Sequence, residues 1–247
     1  MKKMLILALA FVCGTAVAST SGGFGLAVLV DDQERPEYAA RGTVYVEAIR
    51  GANYSLRVTN PTPYRVGVAL SVDGLNTIDA KHTDSRTAAK WILEPYGSTV
   101  ISGWQVNDRT SRRFFFTGEK DSYGAALGQT ENLGVIEAVF YRERQRRITV
   151  IAPRAEESNK QAAPSSAGAA AVPPSDDYAG TGMGGRTRHE VELVDIELEK
   201  VPAASVRIRY EFRSQLVKLG VLPPIYESPL ERRERARGFG NFCPEPK

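Results

Sequence analysis

The sequence predicts an all-β protein, an antiparallel β-sandwich carrying a long flexible insertion and a short C-terminal tail. Two observations carry this. From Ala39 to Arg142 apolar and polar residues alternate with a period of two, and Gly-, Pro- and Asn-containing turns punctuate the alternation. A third excludes the alternative: no apolar period of about 3.6 is sustained in this stretch, so helices are minor and a βαβ plan is not expected.

The clearest strand places Tyr64, Val66, Val68, Leu70 and Val72 on one face, with Arg65, Gly67, Ala69, Ser71 and Asp73 on the other. Tyr54, Leu56 and Val58 alternate in the same way, as do Val44, Val46 and Ala48. Gly51-Ala52-Asn53 and Asn60-Pro61-Thr62-Pro63 read as hairpin-like connections, because Gly and Asn tolerate positive φ and Pro fixes φ without donating to a ladder. Asp73-Gly74 is a tight-turn dipeptide, with Leu75 to Ile78 a short return. Lys90–Leu93, Ser98–Val106, Arg112–Thr117 and Leu133–Tyr141 are further strands, with Trp104 in phase with Val100 and Val106 and Phe114-Phe115-Phe116 in the core.

Composition changes at 152–186, where Ala, Ser, Pro, Gly and charge dominate and too little apolar surface is available to offset ordering. The glycines of Gly180-Thr181-Gly182-Met183-Gly184-Gly185 read as a flexible approach to the next strand; they lack the context of a phosphate loop. His189–Leu198, with a bulge at Leu193-Val194, and Ser205–Arg213 then return to strand pattern. Two strands alone are marginal in water, so 187–222 is expected to complete the sandwich begun by 39–151. Residues 19–38 form an N-terminal segment and 223–247 a tail, in which Glu231 to Arg237 suits a short exposed helix.

Residues 1–18 have the plan of a signal peptide: Lys2 and Lys3, an apolar run from Leu5 to Val12, and Ala16-Val17-Ala18 before Ser19. The run is shorter than the roughly 20 residues of a membrane span, no later segment is long enough either, and the bulky residues before Cys13 argue against lipidation. The expected destination is periplasmic, cell-surface or extracellular. Removing these 18 residues from 247 leaves 229, and lowers the formal charge from +3 to about +1, which implies no nucleic-acid partner. It also discards Cys13 and leaves Cys243 as the one thiol, so a disulfide through Cys243 would be intermolecular.

No catalytic signature is present: the chain lacks a Gly-x-Ser-x-Gly turn, and neither His82 nor His189 has triad context. The densest polar segment holds Asp73, Asn76, Asp79, His82 and Asp84. Asp79, His82 and Asp84 have the donor chemistry of a metal site, but their spacing fits neither a calcium loop nor a zinc pair, so no metal or other cofactor is expected. Asp73, Asn76 and Asp79, with an outward-facing Tyr45, are the candidate binding residues. Glu94, Glu119, Asp121, Glu131 and Glu137 could supply a glycosidase pair, and Glu137 alone has the parity of an inward-facing charge.

Tyr64 to Asp79, Gly103-Trp104, Phe114 to Thr117, Gly134-Val135-Ile136 and Ala203 to Leu222 resemble a family of uncharacterised exported bacterial proteins with a Val-Asp-Gly-Leu-Asn segment. The resemblance implies that strands on both sides of the insertion form one unit, and it implies no activity. The expected function is non-enzymatic: an exported β-sandwich that binds an envelope protein or glycan, or forms part of an exported assembly. The alternative is an envelope polysaccharide hydrolase using a carboxylate pair.

Overall fold

A computed structural model describes residues 19–144, 175–224 and 234. In chain order its strands are β1 (Ser19–Ser21), β2 (Phe24–Val30), β3 (Gln33–Glu34), β4 (Glu37–Ala40), β5 (Thr43–Ala48), β6 (Asn53–Thr59), β7 (Val66–Val72) and β8 (Leu75–Asn76). They continue as β9 (Trp91–Leu93), β10 (Ser98–Ile101), β11 (Gly103–Asn107), β12 (Thr110–Gly118), β13 (Val135–Arg142), β14 (Ala179–Arg188) and β15 (Ala204–Phe212). Two short α-helices, α1 (Tyr123–Ala126) and α2 (Arg213–Lys218), and a single 3-10 turn at Glu119–Asp121 complete the set.

The strands form two sheets packed as a sandwich. The first runs β1-β2-β6-β12-β11, with β3 on β2, β10 on β6 and β14 on β12; the second runs β4-β5-β15-β13-β7-β8, with β9 on β7. Pairing is antiparallel except between β5 and β15, which are parallel. The period-two residues meet in the middle. Leu26, Val28, Leu56, Val58, Phe114 and Phe116 of the first sheet face Val46, Val68, Leu70, Ile136, Phe140 and Ile208 of the second, each at most 1% exposed. Each such side chain contributes roughly 1.5–3 kcal/mol on burial, which is why alternation outweighs local propensity here.

Several sequence expectations are corrected by this topology. The connections at 51–53 and 60–63 are not hairpins, because β5 and β7 belong to the second sheet and β6 to the first. Alternation reveals which face is buried but not which strand lies alongside. The second crossing is organised by Asn60, whose side-chain nitrogen donates to the carbonyls of Tyr64 (2.7 Å) and Glu94 (2.9 Å) while its oxygen accepts from the Thr62 amide (3.0 Å). The expected strand Ser98–Val106 breaks at Ser102, so Trp104 is core at 2% exposed while Val100 and Val106 are exposed. Residues 19–38 supply β1, β2 and part of the second sheet; the run Phe24–Val30 hid as a strand because it is buried on both faces and does not alternate.

Asp73-Gly74 is the predicted tight turn, with both residues at positive φ and Val72 paired to Leu75. β15 inserts between β5 and β13, so the segment after the insertion completes the second sheet. His189–Leu198 is not a strand: apart from a bridge between Leu198 and Glu143 it runs without regular pairing. The glycine run is a strand, β14, paired along β12. Its glycines make room for Phe115, whose ring lies where a Cβ on Gly182 would sit 2.3 Å away. Residues 152–174 of the expected insertion, the signal segment 1–18, Cys243, and the 231–237 stretch apart from Glu234 lie outside the described residues. Among the described residues no helix is long and apolar enough to cross a membrane.

Candidate functional site

The outer face of the second sheet is covered at two places and open between them. At one end α2 and the chain after it lay Leu216 and Leu222 over Tyr45 of β5. At the other, Ala88 and Leu198 pack on Ala69, Val139 and Tyr141. The uncovered strip runs across β13 and β15.

Parity on β15 determines what this strip presents. Val206, Ile208 and Tyr210 point into the sandwich, so Ser205, Arg207 and Arg209 stand outward. Antiparallel register places Glu137 beside Arg207, and the parallel neighbour β5 places Tyr45 beside Arg209. Arg207 Nη2 donates to Glu137 Oε1 at 2.9 Å, and Ser205 Oγ donates to the same oxygen at 3.2 Å.

Two depressions meet at Glu137, Arg207 and Arg209. One, of about 310 Å³, reaches under the loop that carries Lys81 and His82; the other, of about 650 Å³, opens toward Arg41 and Thr43. The loop is tethered. His82 Nδ1 donates to the Gly74 carbonyl (2.9 Å), so in the neutral ring Nε2 is the acceptor, and Ser85 Oγ bonds the Tyr141 hydroxyl (2.7 Å). Lys90 lies over the Tyr141 ring at 5.0 Å, its ammonium pKa lowered by burial.

Arg41, Lys81, Arg207 and Arg209 thus surround one lining carboxylate, Glu137. Lys81 is 3.7 Å from Asp79, and Arg41 and Arg209 form no ion pair among the described residues. The Arg207–Glu137 pair is solvent-exposed and worth under about 1 kcal/mol, so an incoming anion can take over the guanidinium at small cost. Guanidinium forks suit planar oxyanions, carboxylate or phosphate, held by two parallel bonds.

Of the residues singled out in the sequence, Tyr45, Asn76 and His82 lie in the walls of these depressions, whereas Asp73, Asp79 and Asp84 do not. Tyr45 has the outward parity expected of it, yet α2 covers it and it is 7% exposed, so its ring is no stacking surface. Asp73 is sealed in the sandwich: Oδ1 accepts from the Gly134 amide (2.9 Å) and the Tyr210 hydroxyl (2.5 Å), and Oδ2 from the Thr181 amide (2.8 Å). Thr181 Oγ1 in turn meets the hydroxyls of Tyr54 and Tyr210, each at 2.7 Å. Burial pushes the Asp73 carboxyl up to about 7, against the pull of those donors. This network joins the β7–β8 turn to β13, β14 and β15; it is structural.

Asn76 is buried too, donating to the Ala89 carbonyl and accepting from the Ile78 amide, both at 2.8 Å. Asp79 and Asp84 accept from the amides two residues on, those of Lys81 and Arg86. Asp79, His82 and Asp84 therefore serve their own loop, and no group of three or more His, Cys, Asp or Glu is placed to hold a metal among the described residues.

Glu137 points outward, not inward, because Ile136, Ala138 and Phe140 take the core face of β13. The carboxylates that do influence each other are Glu119 and Glu211. Burial raises Glu211 to about 7, with Glu119 adding to the rise. Both are committed to backbone, Glu211 accepting from the Ala179 amide (3.1 Å) and Glu119 from that of Ser175 (3.0 Å), and neither lines the groove.

The residues missed were Arg41, Lys81, Arg207 and Arg209. Arg207 and Arg209 were visible as the polar parity of a strand; that Glu137 and Arg41 flank them depended on a register no local pattern encodes. Comparison with protein-family models, with curated proteins and with solved structures finds no match.

Proposed function

We propose that this chain is an exported, non-enzymatic β-sandwich protein of the cell envelope or exterior, and that its groove across β13 and β15 binds an anionic saccharide bearing carboxylate or phosphate groups. The observation that carries the reading is the set Arg41, Arg207 and Arg209 in a concave strip left open while the rest of that sheet face is covered. The depressions fall in the range of roughly 300–1,000 Å³ usual for small-ligand sites, large enough for one or two sugar rings. With Tyr45 covered, recognition rests on charge and hydrogen bonding. Export is supported by the basic, apolar and Ala-x-Ala order of residues 1–18. A catalytic reading would need a second carboxylate facing Glu137, and the lining residues supply none.

The test is affinity electrophoresis of the chain from Ser19 through gels containing oligogalacturonate or a neutral cello-oligosaccharide. Retardation by the acidic saccharide alone, lost in the double variant Arg207→Ala/Arg209→Ala, is the expected result. Equal mobility in both gels would remove the groove as a saccharide site.

A further inference from the structure

Ser19 stands where β1 begins, and it is 7% exposed. Its backbone nitrogen donates to Glu37 Oε1 at 3.0 Å and its hydroxyl to Glu37 Oε2 at 2.6 Å, so one residue occupies both carboxylate oxygens. Glu37 opens β4, the edge strand of the second sheet, whereas β1 is the edge strand of the first. The contact therefore bridges the two sheets at one end of the sandwich.

Glu37 has no Lys or Arg within ion-pair distance among the described residues, unlike Glu34, Glu47, Glu137 and Glu143. Half-buried and without a cation, its carboxyl is pushed up by burial, only partly offset by the two Ser19 bonds. Such a carboxylate lacks a positive partner, and one of the two atoms hydrogen-bonded to it is the nitrogen that follows the Ala16-Val17-Ala18 pattern.

We propose that the chain is cleaved between Ala18 and Ser19 and that Glu37 is the receptor for the new α-ammonium group. Hydrolysis breaks the Ala18–Ser19 amide; water gives its hydroxyl to the Ala18 carbonyl carbon, and the nitrogen, gaining protons, becomes a cation 3.0 Å from Glu37 Oε1. One neutral amide bond to the carboxylate is thereby replaced by a charge-assisted one, and processing itself locks the two sheet edges together. The inference rests on the export reading and adds to it the position of the cut and the residue that receives its product.

The experiment has two parts. Intact-mass measurement of the full chain expressed in an export-competent bacterium is expected to give the mass of a chain starting at Ser19. The Ser19 α-amine is then titrated by NMR in that product and in Glu37→Gln. In the first it should titrate clearly above the roughly 8 of a free N-terminus, by on the order of one unit, and in the variant it should return to that value. An unprocessed chain overturns both export and this inference. Cleavage at Ser19 with an α-amine that ignores Glu37 leaves export standing and overturns the receptor role, as does cleavage elsewhere. Should Glu37→Gln fail to fold, an ordinary α-amine titration in the unsubstituted product overturns the role equally.

Discussion

The Tyr210 hydroxyl donates to Asp73 across 2.5 Å inside the sandwich, and every other group directed at that carboxylate is a donor as well. The hydroxyls of Tyr54, Thr181 and Tyr210 form a chain of donations that ends on Asp73. Tyr210→Phe removes the last link and leaves Thr181 one partner short. A loss of about 1.5–3 kcal/mol is expected, read from the urea midpoint with an unchanged m value.

The same carboxylate sets a pH dependence. Burial raises Asp73 from 3.8 to about 7, so the folded chain holds that proton more tightly than the unfolded one. Stability must then fall as pH rises between those two values, with a slope approaching about 1.4 kcal/mol per pH unit, and level off above the folded value. Glu211, also raised to about 7 but partly exposed, acts in the same direction more weakly. Thermal unfolding should show a higher Tm at pH 5.5 than at pH 8, and Asp73→Asn should flatten most of the difference.

Two glycines of the first sheet separate steric roles. A Cβ on Gly103 would lie 2.0 Å from the Arg112 carbonyl oxygen, a backbone atom of the paired strand that cannot turn aside. On Gly182 it would meet the Phe115 ring at 2.3 Å, and a half-buried ring can rotate away. Gly103→Ala is expected to cost more than about 3 kcal/mol or to prevent folding, and Gly182→Ala about 1–2 kcal/mol. Chemical denaturation of both variants checks the order, which is the substance of the prediction.

Tyr45 distinguishes a covered residue from a binding one. Because α2 buries its ring, which only edges the second depression, Tyr45→Ala should lower stability by about 3 kcal/mol while weakening saccharide binding far less than Arg207→Ala/Arg209→Ala does. Calorimetry for stability and electrophoretic retardation for binding measure the two effects separately.

Much of the fold was legible in the residues themselves. Tyr54 to Val58 and Val206 to Phe212 alternate because one face is buried, Val66 to Val72 alternates because the outer face it also largely buries is made of the small residues Gly67, Ala69 and Ser71, and each is a strand in the expected phase. What alternation does not contain is partnership. Nothing local in Gly51-Ala52-Asn53 separates a hairpin from a crossing between sheets, and nothing in the glycines of β14 reveals that Phe115 lies over them. Phe24 to Val30 escaped for the opposite reason, since burial on both faces erases alternation. The groove was half legible: the outward arginines of β15 follow from parity, while Glu137 beside Arg207 follows from register. Asp73 and Asn76 stood out as polar turn residues, and the fold uses that polarity to hold itself together.

The central claim is that the open strip of the second sheet is an anion-recognising groove. Isothermal titration of oligogalacturonate into the chain from Ser19, at low and at high salt, tests it most directly. The predicted result is saturable binding that weakens at least tenfold between 50 and 500 mM salt and is lost in Arg207→Ala/Arg209→Ala, a variant whose stability should stay within about 0.5 kcal/mol of the parent. Binding that survives the double substitution, or no heat with the acidic saccharide at low salt, would contradict it.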